Sequence, residues 1–235
     1  MALKDLLHVQ GWPTRQGSLA TPDAPATEDA PAAARLREHG AVLLGKTNTS
    51  EFGWKGLAES ALAGITRNPW NPAYTPGGSS GGSAVAAALG PGPLQVATDG
   101  GGSIRTPAAA SGVFGLKPSF GRVPNYPPAH TGTLFHVEIM TRTMTDAALL
   151  LNVISGWDAR DWFALPPDGR DWRVGLQDGV AGLRLAYSRT MGYLAMSQGQ
   201  GHHPGVAATR GVPAPWFAPA QAWTLIIVSQ SIECW

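Results

Sequence analysis

Apolar residues in this chain come in short bursts, and the spacing within each burst predicts an element. The apolar positions around Lys4-Asp5 predict a short strand or its exit, and Gly11-Trp12-Pro13 a turn. Residues 19–28 are a Pro/Asp/Thr-rich loop. From Asp29 to His39 the alanine-rich run DAPAAARLREH predicts a helix with Leu36 on its apolar side and Gly40 as its stop. Ala41 to Leu44 reads as a short buried strand, Gly45 to Asn48 as the loop leaving it, and Thr49 or Ser50 as the cap of a short helix through Glu51-Phe52. Residues 60–76 are irregular, with turn chemistry in Asn68-Pro69-Trp70-Asn71-Pro72.

Beyond residue 76 the pattern grows more regular. Ser83 starts a helix that ends in the Gly/Pro stop Gly90 to Pro93. Leu94 to Ala97 is a buried strand running into Thr98-Asp99, and Ser103 to Ala110 opens another helix. Thr145 to Gly156 is a capped amphipathic helix, and Leu183 to Tyr187 a further strand. Helices alternating with short buried strands predict an α/β protein in which helices cover a sheet. After Tyr193 no period is sustained, and the Gly, Pro, Ala and Gln content predicts a divergent or poorly ordered tail.

Composition agrees with a globular chain: of 235 residues, 43% are hydrophobic and only 14% charged. The formal net charge of +1 gives no electrostatic case for nucleic acid or an anionic membrane. A single cysteine, Cys234, excludes an internal disulfide framework. The start MALKDLLHVQG puts charges where a signal peptide needs an apolar run, and Ala147 to Ile154 is too short to span a bilayer. The expectation is a soluble, cytoplasmic protein. His202-His203 would offer metal ligands, but neighbouring histidines in a Gly/Pro-rich tail read as exposed residues.

The candidate chemistry lies in Tyr74 to Pro118, which holds two glycine-serine clusters, Gly77 to Ser83 and Gly100 to Ser103. A strand, a tight glycine turn and a helix start aim backbone N–H groups at an anion. Gly40 to Thr47 (GAVLLGKT) satisfies the spacing of a nucleotide P-loop, but its middle reads as a strand where that motif needs a loop. A dinucleotide fingerprint is matched only loosely by Gly77 to Gly82, and a nucleophile elbow is clean in neither cluster. The plain structural alternative is a pair of glycine turns used for packing. Neither cluster contains a basic residue, and Lys4 taken alone reads as a solvated charge.

The run GGSSGGSAVAAALG, followed by TDGGGSIRTPAAASGVFGLKPSFGRVP, closely resembles the signature of the amidase signature family of serine hydrolases. The resemblance extends to LKDLLHVQGWPTRQGS, GAVLLGKTNTSEF, TRNPWNP, MTRTMTDAALLLNVISG and VAGLRLAYS, in the family's order, across residues 2 to 194. It implies a mixed central β-sheet covered by helices on both faces, and a Ser-cisSer-Lys triad. By position, Ser103 matches the nucleophile, Ser79 the bridging serine that follows a cis peptide bond, and Lys4 the base. The resemblance also implies an oxyanion hole from the backbone of Gly100, Gly101, Gly102 and Ser103. Ser80, Thr98, Asp99 and Arg105 match residues that brace these loops.

Residue types and roles agree. A serine hydroxyl is a poor nucleophile until a base takes its proton, and a lysine is such a base only when neutral. Its ordinary pKa of about 10.4 requires burial to fall far enough. The implied activity is hydrolysis of a carboxylic amide to carboxylate and ammonia or amine, without cofactor or metal, on a small-molecule substrate; a homodimer is compatible with this. An alternative is the glutamine-hydrolysing subunit of a tRNA-dependent amidotransferase. Thr106, where that subgroup commonly carries Gln, argues mildly against it. A third is an inactive fragment that keeps the glycine scaffold.

Two departures from the family pattern stand out. The expected division is a partial signature domain over residues 1–194, lacking the family's preceding helical segment and its C-terminal part, and a tail over 195–235. Phe135 to Met140 stands where the family has a Ser-His-Val-Gly-Pro-Met type run, so Glu138 and Ile139 replace a Gly-Pro turn and an altered loop is expected there.

Overall fold

The computed structural model describes residues 1–90 and 92–179. The predicted strand Leu183 to Tyr187, the histidine pair and the tail lie outside the described residues.

Along the chain, strand β1 (Ala2–Lys4) precedes helix α1 (Pro31–Glu38), strand β2 (Gly45–Thr47) and the short strands β3 (Glu59–Ser60) and β4 (Gly64–Ile65). Helix α2 (Gly81–Leu89), strand β5 (Leu94–Asp99), helix α3 (Arg105–Ser111), strands β6 (Phe114–Leu116) and β7 (His136–Thr141) and helix α4 (Met144–Ile154) follow. Five strands form one sheet in the order β2-β1-β5-β7-β6, and β3 and β4 make a separate antiparallel pair. β1 runs parallel to both β2 and β5, whereas β7 runs antiparallel to β5 and β6. The sheet is therefore mixed.

Alternation along the strands sorts side chains onto two faces. Leu3, Val96, Val137 and Ile139 pack with Ala32, Ala33 and Leu36 of α1 and with Leu150, Leu151 and Ile154 of α4. Ala97 and Met140 face the other way, against Ala84 and Ala87 of α2, Ile104 just before α3 and Ala108 within it. The alanines on the second face let α2 lie close to the sheet, which brings the first glycine cluster, at its start, down to strand level. Glycine is needed there for approach: a Cβ at Gly82 would meet the backbone of Asn48, and one at Gly78 the backbone of Leu57.

Most predicted elements recur within a residue or two. α4 is capped two residues earlier than the expected Thr145, by Thr143, whose hydroxyl accepts the Asp146 N–H at 3.1 Å and donates to the Asp146 carboxylate at 2.8 Å. α2 starts at Gly81, two residues before Ser83, with Ser80 at the cap position, and Gly90 ends it in a left-handed conformation.

Three expectations are corrected. The strand near residue 45 is Gly45–Thr47 and not Ala41 to Leu44, because Gly45, Lys46 and Thr47 register against Ala2, Leu3 and Lys4. Val42 and Leu44 are exposed instead. Lys46 thus sits in a strand, ion-paired with Asp5 at 3.1 Å, which removes the P-loop reading. The stretch 60–76, expected to be irregular, contributes one strand of the β3–β4 pair. Glu138 and Ile139 do not form a loop: they lie in the middle of β7, opposite Ala97 and Val96.

Candidate active site

The second and third strands of the sheet deliver the polar centre. β1 is paired on both edges, so its last residue, Lys4, is fixed beside the end of β5. Lys4 is fully buried. Its Nζ donates to Ser79 Oγ at 2.6 Å, to Thr98 Oγ1 at 3.0 Å and to the Thr98 carbonyl at 3.4 Å. Burial lowers the Lys4 pKa to about 7, against the opposing attraction of the Asp99 and Glu138 carboxylates. The solvated charge that Lys4 suggests in isolation is thereby corrected.

Ser79 follows a cis Gly78–Ser79 peptide bond and is itself buried. Ser80 ties the two clusters together. Its Oγ donates to the Thr98 carbonyl at 3.0 Å, and its N–H to the Ser103 carbonyl at 3.3 Å. Asp99, at the end of β5, organises the second cluster. Its Oδ1 accepts the Gly102 N–H at 2.6 Å, and its Oδ2 accepts the Ile104 N–H at 3.1 Å and the Arg105 N–H at 3.4 Å. The Arg105 guanidinium closes the carboxylate bidentately, with Nε and Nη2 each at 3.0 Å. Burial alone would raise the Asp99 pKa, but the Arg105 hydrogen bonds, the Ile104 and Gly102 amides and the Arg105 charge outweigh it and hold it below the ordinary value.

Gly102 takes φ +119, a region that favours glycine, and this turns its amide toward Asp99. The same turn presents Gly100, Gly101 and Ser103 to a pocket of about 300 Å³. Ser79 and Thr98 line that pocket too, so all three triad candidates meet at or next to it. Among the described residues no hydrogen bond joins Ser103 Oγ to Ser79 Oγ; nucleophile contacts of this kind often tighten only around a substrate.

Most of the pocket wall has no counterpart in the sequence expectations. Leu6, Phe52, Trp54, His130 and Leu134 line it from separate stretches of the chain. Phe52 meets the His130 ring edge-on with centroids 6.4 Å apart. Loop residues such as these carry no periodic signal. Glu138 is the second group that sequence reasoning does not place. It is fully buried on β7, and among the described residues neither carboxylate oxygen has a hydrogen-bond partner.

A mixed sheet clad on both faces, with a buried lysine on a cis-linked serine above a glycine loop, defines an amidase-type chain. The Amidase family profile matches residues 1–200, and the chain belongs to that family. It is 45% identical over 186 residues to the A-type subunit of the glutamyl-tRNA(Gln) amidotransferase of Trichlorobacter lovleyi, a match covering 79% of this chain and 38% of that protein. Among solved structures it is similar to 6-aminohexanoate cyclic dimer hydrolase complexed with substrate, with a TM-score of 0.72 and 36% identity over 78% of this chain and 40% of that one. A bacterial aryl acylamidase of the amidase signature enzymes gives a TM-score of 0.73 at 34% identity, over 81% and 40% of the two chains. The chain thus spans about two fifths of the length of the relatives it matches. Among the described residues no helix is long and apolar enough to cross a membrane.

Proposed function

We propose that the chain hydrolyses a small carboxylic amide through an acyl-enzyme on Ser103. The observation that carries this reading is the fully buried Lys4 amine, 2.6 Å from Ser79 Oγ and with a pKa of about 7. At that pKa about half of the lysine is neutral at pH 7, against a vanishing fraction at its ordinary value.

In the proposed cycle Ser103 Oγ attacks the amide carbon while its proton passes to Ser79, whose own proton passes to neutral Lys4. The carbonyl oxygen becomes an oxyanion. The Gly102 amide is already committed to Asp99, so Gly100, Gly101 and Ser103 supply the donors of the oxyanion hole. The tetrahedral adduct collapses as the proton returns along the relay to the leaving nitrogen, and ammonia or an amine departs. Water then attacks the ester by the same relay, releasing carboxylate and restoring Ser103. Thr98 holds the lysine, and Ser80, Asp99 and Arg105 brace the loops. In this reading no metal or cofactor takes part, and the protein works in the cytoplasm.

A second reading is glutamine hydrolysis within an amidotransferase assembly, favoured by the name of the Trichlorobacter relative. Incubation with a fluorophosphonate probe tests the acyl-enzyme. Labelling abolished in Ser103→Ala and much reduced in Lys4→Ala supports it, and absence of labelling in the folded chain sinks it. An amide panel read by ammonia release, with glutamine included, separates the two substrate readings.

A further inference from the structure

The sheet register sets three residues in one row across three strands. Ala97 on β5 stands opposite Glu138 on β7, and extending the parallel β1–β5 register of Ala2 with Gln95 and Leu3 with Val96 by one residue places Lys4 beside Ala97. Leu3 and Val96 belong to the opposite face, so Lys4, Ala97 and Glu138 share the face beneath α2 and α3. Adjacent strands lie about 4.8 Å apart, which puts the lysine and glutamate backbones roughly 10 Å from each other, with Ala97 as the residue between them in the row. Both side chains are long and fully buried.

We propose that Glu138 is a positioning residue for the base, acting through charge: its carboxyl is coupled to Lys4 and sets the pH at which the lysine becomes a competent proton acceptor. This rests on the proposed role of Lys4. A structural carboxylate in this place would be expected to find donors, since an unpaired buried charge is costly. Among the described residues Glu138 has none for either oxygen. The charged groups that act on it are Asp99 at the end of β5, Lys117 just past β6, Arg105 of α3 and Lys4 of β1; α2, which also packs against β7, carries no charged residue. Burial, and then Asp99, push the Glu138 pKa well above the ordinary carboxylate value, and the three cations oppose that push. Lys4 is lowered and Glu138 raised, so their titrations fall toward each other, the condition in which interacting groups titrate as a pair. Where Glu138 ionises, it draws a proton onto Lys4 and delays the appearance of the neutral amine. The carboxyl is thus a brake on the base toward higher pH.

The test is the Lys4 ionisation itself, followed by NMR of the side-chain Cε and Nζ in the whole chain, with the signal assigned by its loss in Lys4→Met. In Glu138→Gln, which keeps size and shape, the Lys4 midpoint should fall by about 0.5–1 pH unit. Fluorophosphonate labelling at pH 7 should then rise about 1.5- to 2-fold, following the neutral fraction of the lysine. An unchanged Lys4 midpoint in a folded E138Q overturns the proposal. Should that variant fail to fold, the wild-type chain still decides: a Lys4 curve that shares a titration step with the Glu138 carboxyl carbon supports the coupling, and two independent single-step curves overturn it. None of the NMR readouts needs turnover. Coupling without any Ser103 labelling would therefore discredit the acyl-enzyme and leave the electrostatic pair standing.

Discussion

Lys4 Nζ and Ser79 Oγ are 75 positions apart in sequence and 2.6 Å apart in space. The contact joins a three-residue strand to the loop before α2, and both side chains are buried there. A lysine in that setting can serve as a base near neutral pH, which an exposed lysine cannot.

Replacing Lys4 by Met should lower Ser103 labelling at least about 10²-fold, as loss of a general base does. Lys4→Arg should not rescue it, because a guanidinium does not give up its proton in this range. In the wild-type chain labelling should rise as pH passes through about 7, where Lys4 becomes neutral.

The same lysine should shape stability. Its folded pKa lies below its unfolded value of 10.5, so from about 7 to 10.5 the unfolded chain binds more protons than the folded one. Stability therefore rises with pH across that window and carries a penalty below it. Thermal melts of the wild-type chain from about pH 6 to 10 should show the climb, and Lys4→Met should flatten it.

Arg105→Ala would strip the buried Asp99 carboxylate of its counter-ion, and Asp99→Asn would place an amide against three N–H donors. Each should cost about 1–3 kcal/mol in urea unfolding and loosen the loop from Gly100 to Ser103. The Asp99 pKa is depressed, so the stability it contributes is present above its unfolded value of 3.8 and is lost as pH falls through the folded one. Acid melts of Asp99→Asn should lack that loss.

The two glycine clusters should respond differently to a single methyl group. Gly78→Ala drives a Cβ into the Leu57 backbone, where nothing can swing aside, and should destabilise by about 1–3 kcal/mol or more. Gly101→Ala meets nothing within 4 Å and should leave the stability nearly unchanged, within about 0.5 kcal/mol. Its effect should appear in labelling instead, since the methyl group enters the pocket mouth. Equal destabilisation by the two substitutions would contradict this division.

Ser80→Ala removes the hydroxyl that binds the Thr98 carbonyl at 3.0 Å and should cost about 1 kcal/mol. Labelling should fall less than in Ser79→Ala, because in the proposed cycle Ser80 braces the relay and Ser79 is part of it.

The sequence pattern yields local structure better than pairing. α1, α4 and β5 are legible because caps, glycine stops and an apolar run all act within a few residues. β7 escapes a reading by pattern because Glu138 interrupts its apolar face, and a charged residue at a buried position looks like a loop until the register is known. β2 lies a few residues from its expected place for a related reason. Val42-Leu43-Leu44 is the more apolar run, yet hydrogen bonding to β1 selects Gly45–Thr47. The candidate site is legible only through family resemblance, since spacing alone ties Lys4 to nothing. The pocket wall and the Lys4–Glu138 row stay hidden, because both exist only once distant stretches meet.

The row across β1, β5 and β7 also orders events during synthesis. The lysine segment is made some ninety residues before β5 and still longer before β7. Until those strands arrive, Lys4 has no dry surroundings and remains an ordinary protonated amine. Pairings this far apart in sequence close slowly. A nascent chain therefore carries Lys4 as an ordinary surface amine, and the lysine acquires its lowered pKa only when the middle of the sheet has closed.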